Sequence, residues 1–383
     1  MRNRFKVYRH VMSSSSHDPI QWYGPQLAGD EAERVKAVIE SDYINDGPLC
    51  RELEKQVAVR VGTAYAVAVT SGTAAIALGL MAAGVKPGDD VIVPDLTFAA
   101  TANAVLLAGA RPVFCDIEAN YLGIDVTKLS AALTSKTTAV VPVDVNGRGA
   151  DYRVLESFCK ENDLRLICDA AEALGSRFGG KPLGSFGDAG CFSFSANKTI
   201  TAGQGGMITT DDEEIHNRLR ELKDQGRRFQ GTGGNDLHPV LGFNFKMTDL
   251  QAAVALAQMD EFDERMEAAR HRDSLYRRHL EGVAGLTISP DRSNEGEVLQ
   301  WFDIFVDDRY RVEKALTDEK IGCRPFWFPL HSQGAYGKNE GDFPVAKRVS
   351  ERGLWLPSRF DLSDDDIARV CGIIKEALSC ANA

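Results

Sequence analysis

Between residues 64 and 210 the chain alternates short apolar runs with helical ones, and this alternation restricts the possible folds more than any other feature. Residues 64–69, 90–94, 111–116, 138–143, 164–168 and 191–194 have the length and the β-branched or aromatic content of buried strands. Runs at 74–83, 99–108, 122–133 and 154–162 carry helical spacing between them. Parallel strands can be joined only by crossovers, and those crossovers pack on the faces of the sheet. The predicted architecture is therefore α/β, a mostly parallel sheet with helices on both faces. Sheets of this kind take ligands at the edge where the strands end.

The flanks extend the pattern. Helices are predicted at 30–41 and 48–62, a strand at 207–210 and an acidic helix start at 211–214. A glycine-rich loop at 226–242 precedes one long helix from 248 to 281. Strands at 299–306 and 323–330 and helices at 309–320, 343–352 and 364–377 make up a smaller α+β unit. With 383 residues, 44% of them hydrophobic, the chain can fill two cores. The division reads as a disordered leader at 1–18, a large domain at 19–260 and a small C-terminal domain at 261–383. The leader holds basic residues and the run Ser13–Ser16, but no continuous apolar stretch of a secretory signal.

Charge and cysteine usage narrow the function. A formal net charge of -11 argues against nucleic acid or an anionic membrane as partner. The eight cysteines are scattered without metal-ligand spacing, which suits free thiols in a reducing cytoplasm. No apolar run is long enough to span a bilayer.

Four positions fall at or just after the ends of strands. Ser71-Gly72-Thr73 follows a strand and opens a helix, which makes either an anion site or an ordinary N-cap. Phe98 follows the strand at 90–94, placed to stack on a flat ring or to pack in the core. Asp169 ends the strand at 164–168 with Glu172 three residues on, as a ligand group or as a helix cap. Lys198 lies between the strand Cys191–Phe194 and the glycine turn Gly203–Gly206. It either snorkels to solvent or is desolvated, and desolvation favours a neutral, nucleophilic amine. Core packing does not account for a lysine, an acid and a phosphate-type turn on one sheet edge.

These residues carry a resemblance. Ser71-Gly72-Thr73, Asp169-Ala170-Ala171-Glu172, the stretch from Ser193 to Gly206 and that from Gly242 to Ala253 occur in the order and spacing of the DegT/DnrJ/EryC1/StrS aminotransferases. The likeness runs from Pro19 to the C-terminus. It implies the aspartate aminotransferase-like fold, fold type I of the pyridoxal-phosphate (PLP) enzymes, and a homodimer whose active sites draw on both subunits. It implies that Lys198 holds pyridoxal 5'-phosphate as an internal aldimine and shuttles a proton, and that Asp169 pairs with the ring nitrogen. It further implies that Ser71, Gly72, Thr73 and Ser193 hold the phosphate, with Asn244 reaching in from the partner subunit. Phe98 would stack on the ring and Glu172 stand near its hydroxyl. A lysine at position 198, where a dehydratase branch has histidine, points to transamination, with pyridoxamine phosphate as the half-way form and L-glutamate as donor.

The segments at 191–206 and 238–244 look most like the branch that aminates C4 of a nucleotide-linked 4-keto-6-deoxy sugar to give perosamine. His331 resembles a substrate-side residue of that branch, or packs in a strand–loop corner. Arg227 and Arg228 could meet a diphosphate or form a solvated basic pair. Asp144 and Asn146 stand where relatives carry histidine and tyrosine, and residues 231–237 replace a more aromatic segment; all are placed near the expected sugar or nucleotide. Two other readings stay open: a PLP enzyme, aminotransferase or lyase, for a substrate without a nucleotide, and a non-catalytic PLP-binding regulator. The second would need a DNA-binding module that this acidic chain does not display.

Overall fold

The computed structural model describes residues 18–27, 29–227, 237–337 and 341–379. Most of the expected leader, Arg228 and residues 231–236 lie outside these. Two sheets organise the described residues. The larger has seven strands: β1 (Tyr65–Val69), β2 (Asp90–Pro94), β3 (Arg111–Cys115), β4 (Thr137–Val140), β5 (Arg165–Asp169), β8 (Ala189–Ser193) and β9 (Gly206–Thr210). A hairpin of β6 (Arg177–Phe178) and β7 (Lys181–Pro182) lies between β5 and β8 in sequence. The spatial order is β1-β9-β8-β5-β4-β2-β3. The pairs β5–β8, β4–β5, β2–β4 and β2–β3 are parallel, and β9 runs antiparallel to both its neighbours. All strands but β9 therefore end at one edge.

The helices of this part are α1 (Glu31–Glu40), α2 (Pro48–Val61), α3 (Gly72–Ala82), α4 (Ala100–Leu107), α5 (Leu129–Ala132), α6 (Tyr152–Glu161), α7 (Glu213–Lys223) and α8 (Asp249–Asp260). The α3 sequence, GTAAIALGLMA, is apolar on nearly every face because the helix is wedged between the sheet, α4 and α7. Asp212 caps α7 by accepting from the Glu214 and Ile215 amides. Thr248 and Gln251 close α8 with a reciprocal capping box.

The smaller sheet, in the order β10-β11-β13-β12, comprises β10 (Leu286–Thr287), β11 (Asp303–Val306), β12 (Arg324–Pro325) and β13 (Gly353–Trp355). It is covered by α9 (Phe262–Leu280), α10 (Arg309–Asp318), α11 (Pro344–Arg352) and α12 (Asp364–Ser379).

Four expected elements differ from the structure. The helix predicted at 122–133 shrinks to a 3-10 turn and α5, because Leu122 sits at φ 63° and the Asp125 carboxylate captures the Thr127 amide. The long helix at 248–281 breaks at Glu261 (φ -95°, ψ 9°) into α8, which packs on α1 and α2, and α9, which packs on α12. The strand at 299–306 forms only from Asp303 onward, because Gln300 and Trp301 bond to Asn146 instead of to a strand. The strand at 323–330 pairs only over β12; Pro325 and Pro329 lack the N–H groups a ladder needs. Cys50, Cys115, Cys159, Cys168, Cys191, Cys323 and Cys371 are free thiols, and all but the half-buried Cys323 are buried.

Candidate active site

A cavity of about 420 Å³ opens at the edge where the parallel strands end. Three strand exits build its floor. β1 leads through Ser71 into α3; the Ser71 hydroxyl accepts from the Ala74 amide, and the Ser71 carbonyl accepts from Ala75. Gly72 and Thr73, whose amides belong to the first turn and have no intrahelical acceptor, line the cavity. The turn lies so close to the end of β8 that a Cβ on Gly72 would stand 2.8 Å from Ser193 Cβ. Gly206, across from it, would drive a Cβ to 2.4 Å from the Ser71 carbonyl oxygen.

β5 delivers Asp169, which is 4% exposed. Its Oδ2 accepts from the Thr101 hydroxyl at 2.7 Å and its Oδ1 from the Ala171 amide at 3.2 Å. Burial pushes its carboxyl up to about 6 against the pull of these two donors; Glu172 pushes the same way and Lys198 opposes it. Glu172 is buried too, its Oε2 accepting from the Asn146 amide at 2.9 Å and its Oε1 from Lys198 Nζ at 3.2 Å.

Lys198 follows β8 in a turn that other segments hold firmly. Its amide donates to the Ser195 carbonyl, its carbonyl accepts from the Tyr23 hydroxyl at 3.1 Å, and Gln300 donates to the Asn197 carbonyl. The side chain is 12% exposed, with Nζ 5.2 Å from the centre of the Trp301 ring. It does not snorkel. Phe98, 53% exposed, stands on the cavity wall rather than in the core.

The structure thus gathers Ser71, Gly72, Thr73, Phe98, Asp169, Glu172, Ser193 and Lys198 around one cavity. Other expected residues lie elsewhere. Asn244 is exposed and lines no part of the cavity of its own chain. His331 is held on Asp95, its ring nitrogen 2.6 Å from the carboxylate and its ring stacked on Phe343. Arg227 stands 3.6 Å from Asp224, away from the cavity. Asp144 and Asn146, expected beside the substrate, are fully buried behind the wall. Asp144 accepts from the Tyr152 hydroxyl, and burial pushes its carboxyl up to about 8. Asn146 clamps the small sheet: its amide nitrogen donates to the Trp301 carbonyl and to Asp303, and its side-chain oxygen accepts from the Trp301 amide.

Sequence reading missed the far wall of the cavity. Trp301, Arg324 and Trp327 close it from the small-sheet side, and Ser195, Asn197 and Gln204 add polar groups near the lysine. Thr101, which bonds Asp169, was also missed; a threonine in the first turn of the helix after a strand exit was the available signal.

Comparison with known proteins gives this constellation its context. The model of the DegT/DnrJ/EryC1/StrS aminotransferase family matches residues 25–375. This chain belongs to that family. The GDP-perosamine synthase of Vibrio cholerae is 33% identical over 368 residues, covering 94% of this chain and 99% of the relative. DesI, solved in the presence of its TDP-sugar product, superimposes with a TM-score of 0.88 at 32% identity, covering 96% of this chain and 95% of that one. A Streptococcus pneumoniae protein solved in its PLP form gives 0.88 at 26% identity, with 95% and 99% covered. The fold is that of the fold type I PLP enzymes, as the motifs implied.

Proposed function

We propose that the chain is a PLP-dependent aminotransferase that moves the amino group of L-glutamate to the ketone of a nucleotide-linked 4-keto-6-deoxy sugar, at C4 as in perosamine formation. The observation that carries this reading is a half-enclosed amine, Lys198, sharing one cavity with a buried strand-end acid, Asp169, and a helix N-terminus.

The donor set fits the cofactor. Ser71, Gly72, Thr73 and Ser193 would hold its phosphate, since first-turn amides and hydroxyls are the groups that bind such anions and Gly72 keeps the cradle open. Lys198 would hold the aldehyde carbon, Asp169 the ring nitrogen and Glu172 the neighbourhood of the ring hydroxyl, with Phe98 against the ring face. Asn244, off the cavity of its own chain, is available to a partner copy in a homodimer with shared sites. Bound there, pyridoxal phosphate supplies an electron sink for the charge left when a proton leaves the amine-bearing carbon.

The chain's own groups do the rest. Lys198 Nζ is the nucleophile and then the proton carrier at that carbon. Glu172 Oε1 and the Trp301 ring fix where the amine sits. Asp169, ionised above about pH 6, stabilises a protonated ring nitrogen from a site that admits little water. Trp301 and Trp327 narrow the cavity and limit solvent at the reacting carbon.

The test is the visible spectrum of PLP-loaded protein. L-glutamate should bleach the cofactor band, and a 4-keto-6-deoxy sugar nucleotide should restore it. A band indifferent to glutamate, or restored by any simple keto acid but not by the sugar nucleotide, overturns the reading.

A further inference from the structure

Lys223 is a second lysine that the fold removes from solvent, and the reading above leaves it unused. Its side chain, at the C-terminal end of α7, is 1% exposed. Nζ donates to the Ala68 carbonyl at 3.0 Å and lies 3.0 Å from Asp46 Oδ2 and 3.5 Å from Glu54 Oε1. One amine thus ties the end of α7 to the turn before α2, to α2 itself and to β1. Both acids have arginines as well, Arg51 on Asp46 and Arg51 with Arg220 on Glu54, so the lysine is not needed to neutralise them. What it fixes is position. The segment 243–245 hangs on this end of α7: the Phe243 and Phe245 amides donate to the Leu222 and Lys223 carbonyls, and the Gln225 amide donates to the Phe243 carbonyl. The Phe243 and Phe245 rings pack on the core 5.5 Å apart, which turns the intervening Asn244 outward, where it is exposed.

We propose that Lys223 positions Asn244 for the cofactor site of a partner copy, an assignment that rests on the reading of a homodimer with shared sites. A group that meets an anion must be held to within about 0.5 Å. Asn244 lies on a segment joined to its neighbours by isolated bridges rather than a ladder. The Thr70 amide, which donates to the Phe245 carbonyl, holds one point of that segment; the end of α7, fixed by Lys223, holds the other and so sets its angle. The phosphate cradle of the same chain depends less on the lysine. β1, which leads into it, is paired with β9 over all five of its residues, and the Ala68 amide is kept by Glu54. Lysine suits the task because donors on one nitrogen reach three elements at once, which an apolar side chain of similar volume cannot do. Its loss is therefore felt across the interface more than within the chain.

The experiment uses dimers of two differently tagged chains, one with Lys198 and one carrying Lys198→Ala, so that the lysine-bound cofactor band reports the site of the first chain alone. Lys223→Met is placed on neither chain, on the chain with Lys198 or on its partner, and each dimer is titrated with pyridoxal phosphate. Thermal melts check folding and sedimentation checks the dimer. On the partner chain the substitution should raise the apparent Kd roughly tenfold or more, and on the chain with Lys198 by no more than about threefold. Asp46→Asn removes one of the groups that hold the amine; it should show the same asymmetry at smaller amplitude, and it carries the test if Lys223→Met fails to fold. Equal losses from both placements, a loss confined to the chain with Lys198, or no loss at all overturns the assignment. Asn244→Ala on the partner chain is the reference. If it leaves the Kd unchanged, or if the protein sediments as a monomer with full cofactor affinity, the shared-site reading falls and the assignment falls with it.

Discussion

Lys198 Nζ donates to Glu172 Oε1 at 3.2 Å, and the other Glu172 oxygen is held by the Asn146 amide. The amine is therefore aimed by a carboxylate that is itself fixed. Replacing Glu172 by Gln keeps the shape but exchanges an ionic acceptor for a neutral one. The expected result is a loaded enzyme whose kcat falls roughly tenfold to a hundredfold. Lys198→Ala should fold normally, lack the lysine-bound cofactor band and lose turnover altogether. A Lys198→Ala protein with wild-type turnover would refute the role of the lysine.

Asp169 links function to stability through pH. Its folded carboxyl is raised by burial to about 6 from an ordinary 3.8, so the folded cofactor-free protein holds this proton more tightly than the unfolded chain. Stability from this group is greatest below about pH 4, declines as pH rises through about 6, and the penalty is complete above that. Asp169→Asn removes the penalty. At about pH 7.5 the cofactor-free variant should be more stable than wild type by up to about 3 kcal/mol, while turnover falls by roughly a hundredfold or more. Urea unfolding across pH, paired with kcat, checks both halves; a variant that is destabilised at neutral pH contradicts the argument.

Thr101 tunes the same group. Its hydroxyl donates to Asp169 Oδ2 and holds the carboxyl lower than burial alone would set it. Thr101→Val removes the donor at almost constant volume, so the acid limb of the pH–rate profile should move to higher pH. In the proposed function the ionised form would stabilise the ring nitrogen, so activity below that limb should fall and the plateau above it change little. A limb that stays in place or moves to lower pH contradicts this link.

What could be read from the sequence follows the physics of each wall. Asp169 and Lys198 were legible because buried strands leave an unbroken apolar trace, and a polar residue at the end of such a trace marks the sheet edge. Phe98 was legible in position but not in exposure. Trp301, Arg324 and Trp327 left no such trace. They reach the cavity through a two-residue strand and irregular segments, and Trp301 is held there by Asn146, whose own φ of 63° no periodicity announces. The same buried clamp misled the reading of Asp144 and Asn146, since polar residues in a loop between strand and helix look exposed until the second sheet covers them. His331 could be read from the sequence as a substrate-side residue or a packed one, but its partner Asp95, far away in sequence, could not.

Asn146 offers a direct test of that clamp. Asn146→Gly keeps the left-handed backbone and the amide that bonds Glu172, but strips the acceptor from the buried Trp301 amide and one donor from Asp303, which keeps Arg148. Leaving the buried Trp301 amide unpaired should cost about 1–3 kcal/mol in urea unfolding. Asn146→Ala should lose about 1 kcal/mol more, because a Cβ disfavours that backbone. If Ala proves the milder change, backbone strain is not what asparagine relieves at this position.

Gly72 separates helix propensity from site geometry. Alanine is the better helix former by about 1 kcal/mol, yet its Cβ would meet Ser193 Cβ at 2.8 Å where β8 gives no room, a clash worth about 1–3 kcal/mol. The two nearly cancel in the cofactor-free fold, so Gly72→Ala should unfold within about 2 kcal/mol of wild type. They do not cancel in the anion cradle, because relief of the clash moves the first-turn amides away from the Ser193 hydroxyl. The Kd for pyridoxal phosphate should rise roughly tenfold or more. Gly79→Ala is the control: it lies within α3, its Cβ meets Cys191 Sγ and Ile167 Cγ2 at 3.3 Å, and it lines no part of the cavity. It should perturb stability and leave cofactor affinity unchanged. Equal losses of affinity in both variants would show that α3 as a whole, rather than the gap at Gly72, governs the cradle.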